Sequence, residues 1–153
     1  MNYSKIIGID LSLTSTGVCT YNEGVYNTFA IKTKLKGHLR YDHILSTIQE
    51  VLSDLEPEIA FIEGASYNSK SSSLDWIYGL SMLVRHNLCY RLGIPYKLIP
   101  PATLKKWATG KGNATKEKMI ETCNENYGTS FTLKDNDMCD AYLLVRWGLN
   151  NAT

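Results

Sequence analysis

Four carboxylates sit where their spacing lets them meet. Asp10 ends the apolar run KIIGID, Glu63 ends IAFIE, and DNDMCDAYLLV carries Asp137 and Asp140 three residues apart. On a helix, residues three apart share a face. That face also holds Ala141 and Leu144, so both acids turn towards the interior. If the two apolar runs are neighbouring parallel strands, Asp10 and Glu63 emerge together at the carboxyl edge of a sheet, the usual place for a site. Carboxylates converging without partners raise one another's pKa, and cations relieve the strain. Oxygen donors without sulfur or imidazole suit Mg²⁺ or Mn²⁺. Two such ions about 4 Å apart can activate a water and stabilise a leaving oxygen in phosphodiester hydrolysis.

Taken singly, each acid has a plainer explanation. Asp10 before LSLTST could form a turn or an N-cap, and Glu63 before Gly64 could be an exposed strand end. Asp135 and Asp137 stand where acids favour a helix N-terminus through its dipole. Asp140 is harder to dismiss, because it lies further into the helix among apolar residues. The force of the reading is in the joint placement.

The elements that must carry these acids are legible from periodicity. Residues 5–10, 16–21 and 25–33 read as three antiparallel strands, the last two joined by a turn at Asn22, Glu23 and Gly24. Apolar residues from Leu39 to Leu55 follow helical spacing until Pro57. Residues 59–62 form a fourth strand ending at Glu63, and one long helix is expected over 73–92. A short strand covers 96–99, a short helix follows the prolines at 100 and 101, and helices cover 115–126 and 136–148. The order βββαβαβααα makes one α/β domain over 1–153 with a five-stranded mixed sheet, three antiparallel strands then parallel ones, flanked by helices.

Composition narrows the classes. The 153 residues suit one domain with a real core. Net charge is only +1, so affinity for a polyanion must come from how charge is distributed. The four cysteines, at 19, 89, 123 and 139, form no C-x-x-C pair, which argues against structural zinc or a disulfide framework. No run is apolar enough to cross a membrane and MNYSK is not a signal peptide, so a soluble, cytoplasmic protein is expected.

GIDLSLTSTG, the strand-end IEGAS, the run ATLKKWATGKGNATKEKM and the terminal DNDMCDAYLL together resemble the RuvC-type Holliday junction resolvases, over about residues 5–147. The resemblance implies an RNase H-like fold and a homodimer that binds a four-way DNA junction. It implies symmetric nicking of two opposed strands with divalent metal, Mg²⁺ with Mn²⁺ substituting, two ions per site. Asp10 then corresponds to the aspartate bridging both metals, Glu63 to the glutamate ending the fourth strand, and Asp137 and Asp140 to the paired aspartates of the last helix. Lys105 and Lys116 correspond to lysines near the scissile phosphate, with Lys116 the one that supports the transition state. Two departures stand out. The family's D-P-G is Asp10-Leu11-Ser12 here, and its junction-stacking aromatic is out of register, with Ser66 in that place and Tyr67 after it. The divergence, brevity and Lys/Asn/Tyr-rich composition look like a phage-borne member, which would act in the host cytoplasm.

The stretch from Lys97 to Lys118 holds six lysines and one acid. Lys105, Lys111 and Lys116, with the amides of GKGN, are candidates for holding phosphates, and Lys70 joins them if its loop overhangs the acids. Tyr67, Trp76, Tyr78 and Trp107 are candidates for base stacking, although Trp76 and Tyr78 fit a core or dimer-interface role better. A long helix exposing Leu74, Ile77 and Met82 suits a two-fold dimer face. The competing readings are an RNase H-like nuclease of looser branched-DNA or RNA-processing specificity, and an actin- or sugar-kinase-like nucleotide-binding protein. The kinase class needs two domains around a cleft, and this length holds one.

Overall fold

Alternating side chains along the first strand set the architecture. The computed structural model describes residues 2–64 and 73–151. Strand β1 (Lys5–Asp10) pairs antiparallel with β2 (Ser15–Asn22), which pairs antiparallel with β3 (Val25–Lys32). On its other side β1 pairs parallel with β4 (Ile59–Glu63), and β4 pairs parallel with β5 (Tyr96–Ile99). The sheet order is β3-β2-β1-β4-β5, so β1 lies at the centre and is buried on both faces from Ile6 to Ile9. The α/β class and the mixed five-stranded sheet agree with the sequence.

Helices cover both faces. On one, Ile7, Ile9, Ala60 and Ile62 meet Ile44, Ile48 and Leu52 of α1 (Gly37–Leu55) and Leu80 of α2 (Leu74–Leu83). On the other, Ile6, Ile59 and Phe61 meet Leu104 of α3 (Pro101–Thr109), Met119 and Cys123 of α4 (Lys116–Tyr127), and Ala141, Leu144 and Val145 of α5 (Asn136–Asn151). With a side-chain period of two, Asp10 follows Ile6 and Gly8 onto this second face, and Glu63 follows Ile59 and Phe61. Ile9 pairs with Ile62, so the next step along both strands sets Asp10 beside Glu63 beneath α5.

The expected single helix over 73–92 differs from what is found. After Leu83 the chain widens into i→i+5 turns over 84–90, with Arg91 N bonding His86 O at 3.2 Å and Ile94 N bonding Cys89 O at 2.8 Å. Buried residues here recur at Leu80, Val84, Leu88 and Cys89. Leu80, Val84 and Leu88 would share one stripe at 3.6 residues per turn as well, but Cys89, five after Val84, comes inward only on the wider turn. The last helix also runs further than expected, to Asn151.

Helix α5 lies unusually close to the strands, and two glycines allow it. A Cβ on Gly8 would meet the Ala141 carbonyl oxygen, and one on Gly17 would meet the Asp137 carbonyl. Both obstacles are backbone, so neither can swing aside. Gly17→Ala should therefore destabilise the protein by about 2–3 kcal/mol, read as a Tm lower by roughly 5–10 °C in thermal unfolding. An unchanged Tm would mean that α5 does not need this contact distance.

Candidate metal centre

Strand ends and one helix build the site. Asp10 and Glu63 close β1 and β4, while Asp137 and Asp140 stand in the first turns of α5. The turn after Asp10 lacks the family's proline and glycine, yet it is pinned. Ser12 N donates to Thr16 Oγ1 at 3.2 Å, and Thr16 Oγ1 donates to Ser12 O at 2.8 Å, with Thr16 fully buried. The hydroxyl-rich LSLTST therefore fixes the exit of β1 through side-chain bonds.

One carboxylate oxygen each from Asp10, Glu63 and Asp140 lies within 4.8 Å of the others. Asp137 falls outside this tight trio but is near enough to repel Asp10, Glu63 and Asp140. Asp135 has a different task. Its carboxylate accepts from Thr132 N at 2.9 Å and Thr132 Oγ1 at 3.1 Å, a capping box at the entry to α5.

The electrostatics of the trio are unfavourable on their own. Burial raises Asp10 well above the usual carboxylate range, with the charges of Glu63, Asp140 and Asp137 adding to it. Burial also raises Glu63, against the opposing pull of a hydrogen bond from Asp10 and the charge of Lys105. Asp140 rises from 3.8 to about 8, again through burial first and then Glu63 and Asp137, while Lys105 and Lys116 pull it down. Glu63 Oε2 is buried with no hydrogen-bond donor. Three hard oxygen donors, one of them orphaned, with no sulfur or imidazole among them, fit a divalent cation. Asp10, Glu63 and Asp140 would hold it, with Asp137 at the margin.

The lysines and aromatics take varied places. Half-buried Lys105, on α3, faces Glu63 and Asp140 electrostatically; exposed Lys116 opens α4 and acts on Asp140. Lys111 is exposed in the loop between α3 and α4. Trp107 is half-buried and packs on the core under α3, which leaves only part of its ring for a ligand. Trp76 stacks edgewise with His38 and Tyr41, an aromatic cluster closing the start of α1 against α2. Tyr67 and Lys70 lie outside the described residues.

Comparison with known proteins decides the family. The crossover junction endodeoxyribonuclease RuvC of Rickettsia massiliae (strain Mtu5) is 30% identical over 148 residues, 92% of this chain and 93% of that one. The chain belongs to the RuvC family. RuvC of Rickettsia akari (strain Hartford) is 28% identical with the same coverage. No family model matches the chain. The structure of T. thermophilus RuvC in complex with Holliday junction substrate superposes with a TM-score of 0.76 at 20% identity, covering 97% of this chain and 93% of that one. The yeast mitochondrial Holliday junction resolvase Ydc2 does so at 0.61 and 16%, covering 97% and 78%. Both likenesses are of fold, the RNase H-like sheet expected from the sequence. Nucleases of the RuvC type use divalent metal, and the acidic cluster for it is present. No helix among the described residues is long and apolar enough to cross a membrane.

The raised carboxylate gives a signed expectation. Folding lifts Asp140 from 3.8 to about 8. Its contribution to stability is therefore complete below about pH 4 and is withdrawn as pH rises through about 8. In EDTA the Tm should fall between pH 5 and pH 8.5. Added Mg²⁺ or Mn²⁺ should raise it more at pH 8 than at pH 6, because the ligands must shed protons to bind metal. A metal effect on Tm that is the same at both pH values would contradict these protonation states.

Proposed function

We propose that this chain is a divalent-metal-dependent, structure-selective DNA endonuclease that resolves four-way junctions by paired symmetric nicks. The observation carrying this reading is the Asp10–Glu63–Asp140 trio with its orphaned Glu63 oxygen, at a sheet edge in a member of the RuvC family. The whole of 1–153 is read as a single nuclease domain that works in the cytoplasm as a homodimer, one site for each nicked strand.

Two Mg²⁺ ions, with Mn²⁺ able to substitute, supply Lewis acidity when bound, lowering the pKa of water and polarising the phosphoryl oxygens. The chain's own groups do the positioning. Asp10, the most deeply buried of the acids, would serve both ions, Glu63 and Asp140 would each contribute a carboxylate from within 4.8 Å of it, and Asp137 would complete the set from the first turn of α5. Lys105 offsets the charge of Glu63 and Asp140. Lys116, exposed at the mouth, supports the negative charge that grows on the phosphoryl oxygens as water attacks in line with the departing 3′ oxygen. The products are 5′-phosphate and 3′-hydroxyl ends. Lys111, Lys70, Tyr67 and Trp107 are assigned to holding DNA around the cut.

The test is incubation with labelled four-way, three-way and linear duplex DNA in Mg²⁺ and in EDTA. Symmetric cutting of the four-way junction alone, abolished by EDTA, is expected. Equal cutting of all branched forms, or of RNA, would favour the looser nuclease. Asp10→Asn, Glu63→Gln and Asp140→Asn should each lower the cleavage rate by at least 10³-fold while junction binding persists. Wild-type cutting by Asp140→Asn in Mg²⁺ would remove it from the site. Lys116→Ala should slow the cut more than it weakens binding; the reverse would make it a plain phosphate contact.

A further inference from the structure

The segment IKTKLKGHLRY, residues 31–41, carries three lysines and an arginine and no acid. In the structure these cations do not scatter. Lys32 ends β3, Lys34 and Lys36 follow in the connection, and Arg40 lies in the first turn of α1. Together with Thr14 and Ser15 they line one open groove of about 670 Å³. The three lysines are exposed. Arg40 is half-buried and held by its Nε, which donates to Leu35 O at 2.8 Å. Thr33 N bonds Thr14 O at 3.1 Å, so the connection is tied to the β1–β2 turn. Among the described residues, none of these four cations lies in an ion pair.

Where the groove lies gives it meaning. Strand β1 ends at Asp10, β2 starts at Ser15 and β3 ends at Lys32, with Ser15 paired to Lys32. These points share the sheet edge that carries the acidic trio. Strand β3 stands two strand spacings, about 10 Å, to one side of β1. Lys105 and Lys116 flank the trio from α3 and α4, which cover the other face. A site flanked on one side only would let a phosphate chain pivot about the cut. A second cationic wall on the far side of β1 fixes its direction.

We propose that the groove formed by Lys32, Lys34, Lys36 and Arg40 binds the DNA phosphate backbone and, with the α3–α4 lysines, holds the strand across the metal centre from both sides. This surface deepens the proposed function and rests on it. Four cations with neighbouring hydroxyls, and no aromatic ring among the residues lining the groove, suit phosphate, not base, recognition. Such contacts add affinity through counterion release without sequence preference.

The test compares Lys34→Ala/Lys36→Ala with Arg91→Glu. Both variants remove two units of positive charge, but Arg91 is exposed beyond the opposite edge of the sheet. Binding to a labelled four-way junction is followed by fluorescence anisotropy in EDTA at 50–200 mM NaCl, with Tm as the folding control. The groove variant should bind at least tenfold more weakly at 100 mM salt, and the slope of log K against log[salt] should be shallower by about 1.8. Its loss should be similar for junctions of different sequence, and Arg91→Glu should bind within twofold of wild type. Wild-type affinity and slope in the groove variant would overturn the groove while leaving junction binding intact. Equal loss in both variants would overturn it too, by assigning the effect to net charge. Wild-type protein without salt-dependent binding to any DNA would overturn both the groove and the nuclease reading.

Discussion

Helix α5 rests on bare backbone where it crosses β1 and β2, and the gathering of the acids depends on that distance. Gly8 and Gly17 remove the side chains that would hold the helix off, so the carbonyls of Ala141 and Asp137 sit directly over the strands. Asp140 lies between these two points of approach, and its carboxylate drops to the level of Asp10 and Glu63 as a result. Ordinary helix-on-sheet packing would leave it above the edge. Further along the same helix, Arg146 donates to Tyr142 Oη at 2.9 Å and lies 4.6 Å over the Tyr26 ring and 4.4 Å over the Tyr127 ring. This cation–aromatic clamp joins α5 to β3 and α4. The helix is thus seated by close contact at its start and clamped two turns on, which fixes the acids in both translation and rotation.

That placement is electrostatically adverse without metal. Burial and mutual repulsion raise Asp10, Glu63 and Asp140 together. The fold tolerates this because the two central strands are apolar up to the acids: Ile6, Ile7, Ile9, Phe61 and Ile62 are fully buried beside them. Burial of that kind is what makes a cation the favourable partner for the cluster, since a well-hydrated carboxylate trio would hold one only weakly. The nearby lysines moderate the charge but leave the Glu63 oxygen without a donor. In the proposed metal-bound state, stability spent on desolvating the acids would be returned as affinity for the cation.

Much of this could be read from the residues. Short apolar runs located the strands and put Asp10 and Glu63 at their ends, on one edge of the sheet if the strands were parallel neighbours; that they share a face follows from the register, Ile9 opposite Ile62. Three-residue spacing put Asp137 and Asp140 together, but not their different depths, which follow from how α5 sits over Gly17. The widened turns over 84–90 were not legible, since spacings of four fit both ordinary and wider helices. Trp107 was assigned to DNA from its place beside a loop, although its packing on the core could only be seen in three dimensions. Lys32, Lys34, Lys36 and Arg40 form no recognisable pattern in the sequence. Cations spread over a strand end, a connection and a helix start look like ordinary solvated surface until the hairpin folds back and sets them beside the β1–β2 turn. The signal that could have found them was the absence of any acid from residue 24 to residue 41 in a chain whose charges otherwise balance.

The balance of charge then acquires a spatial explanation. A net charge of +1 suggests indifference to DNA, yet residues 24–41 carry four cations and no acid. Glu50, Ser53 and Asp54 line a depression on α1, away from the edge that carries the trio, while the two lysine-bearing walls bracket the trio. Beyond about one Debye length, roughly 8–10 Å, the acids on remote faces are screened, so an approaching phosphate chain meets mainly the local walls. The carboxylate trio between them would repel that chain if left bare. On the proposed reading, cations in the trio would reverse the sign at the centre and make the edge continuously attractive from one wall to the other. Metal occupancy and strand alignment would then be coupled through the same field, and the geometry that gathers the acids would also give the substrate its path.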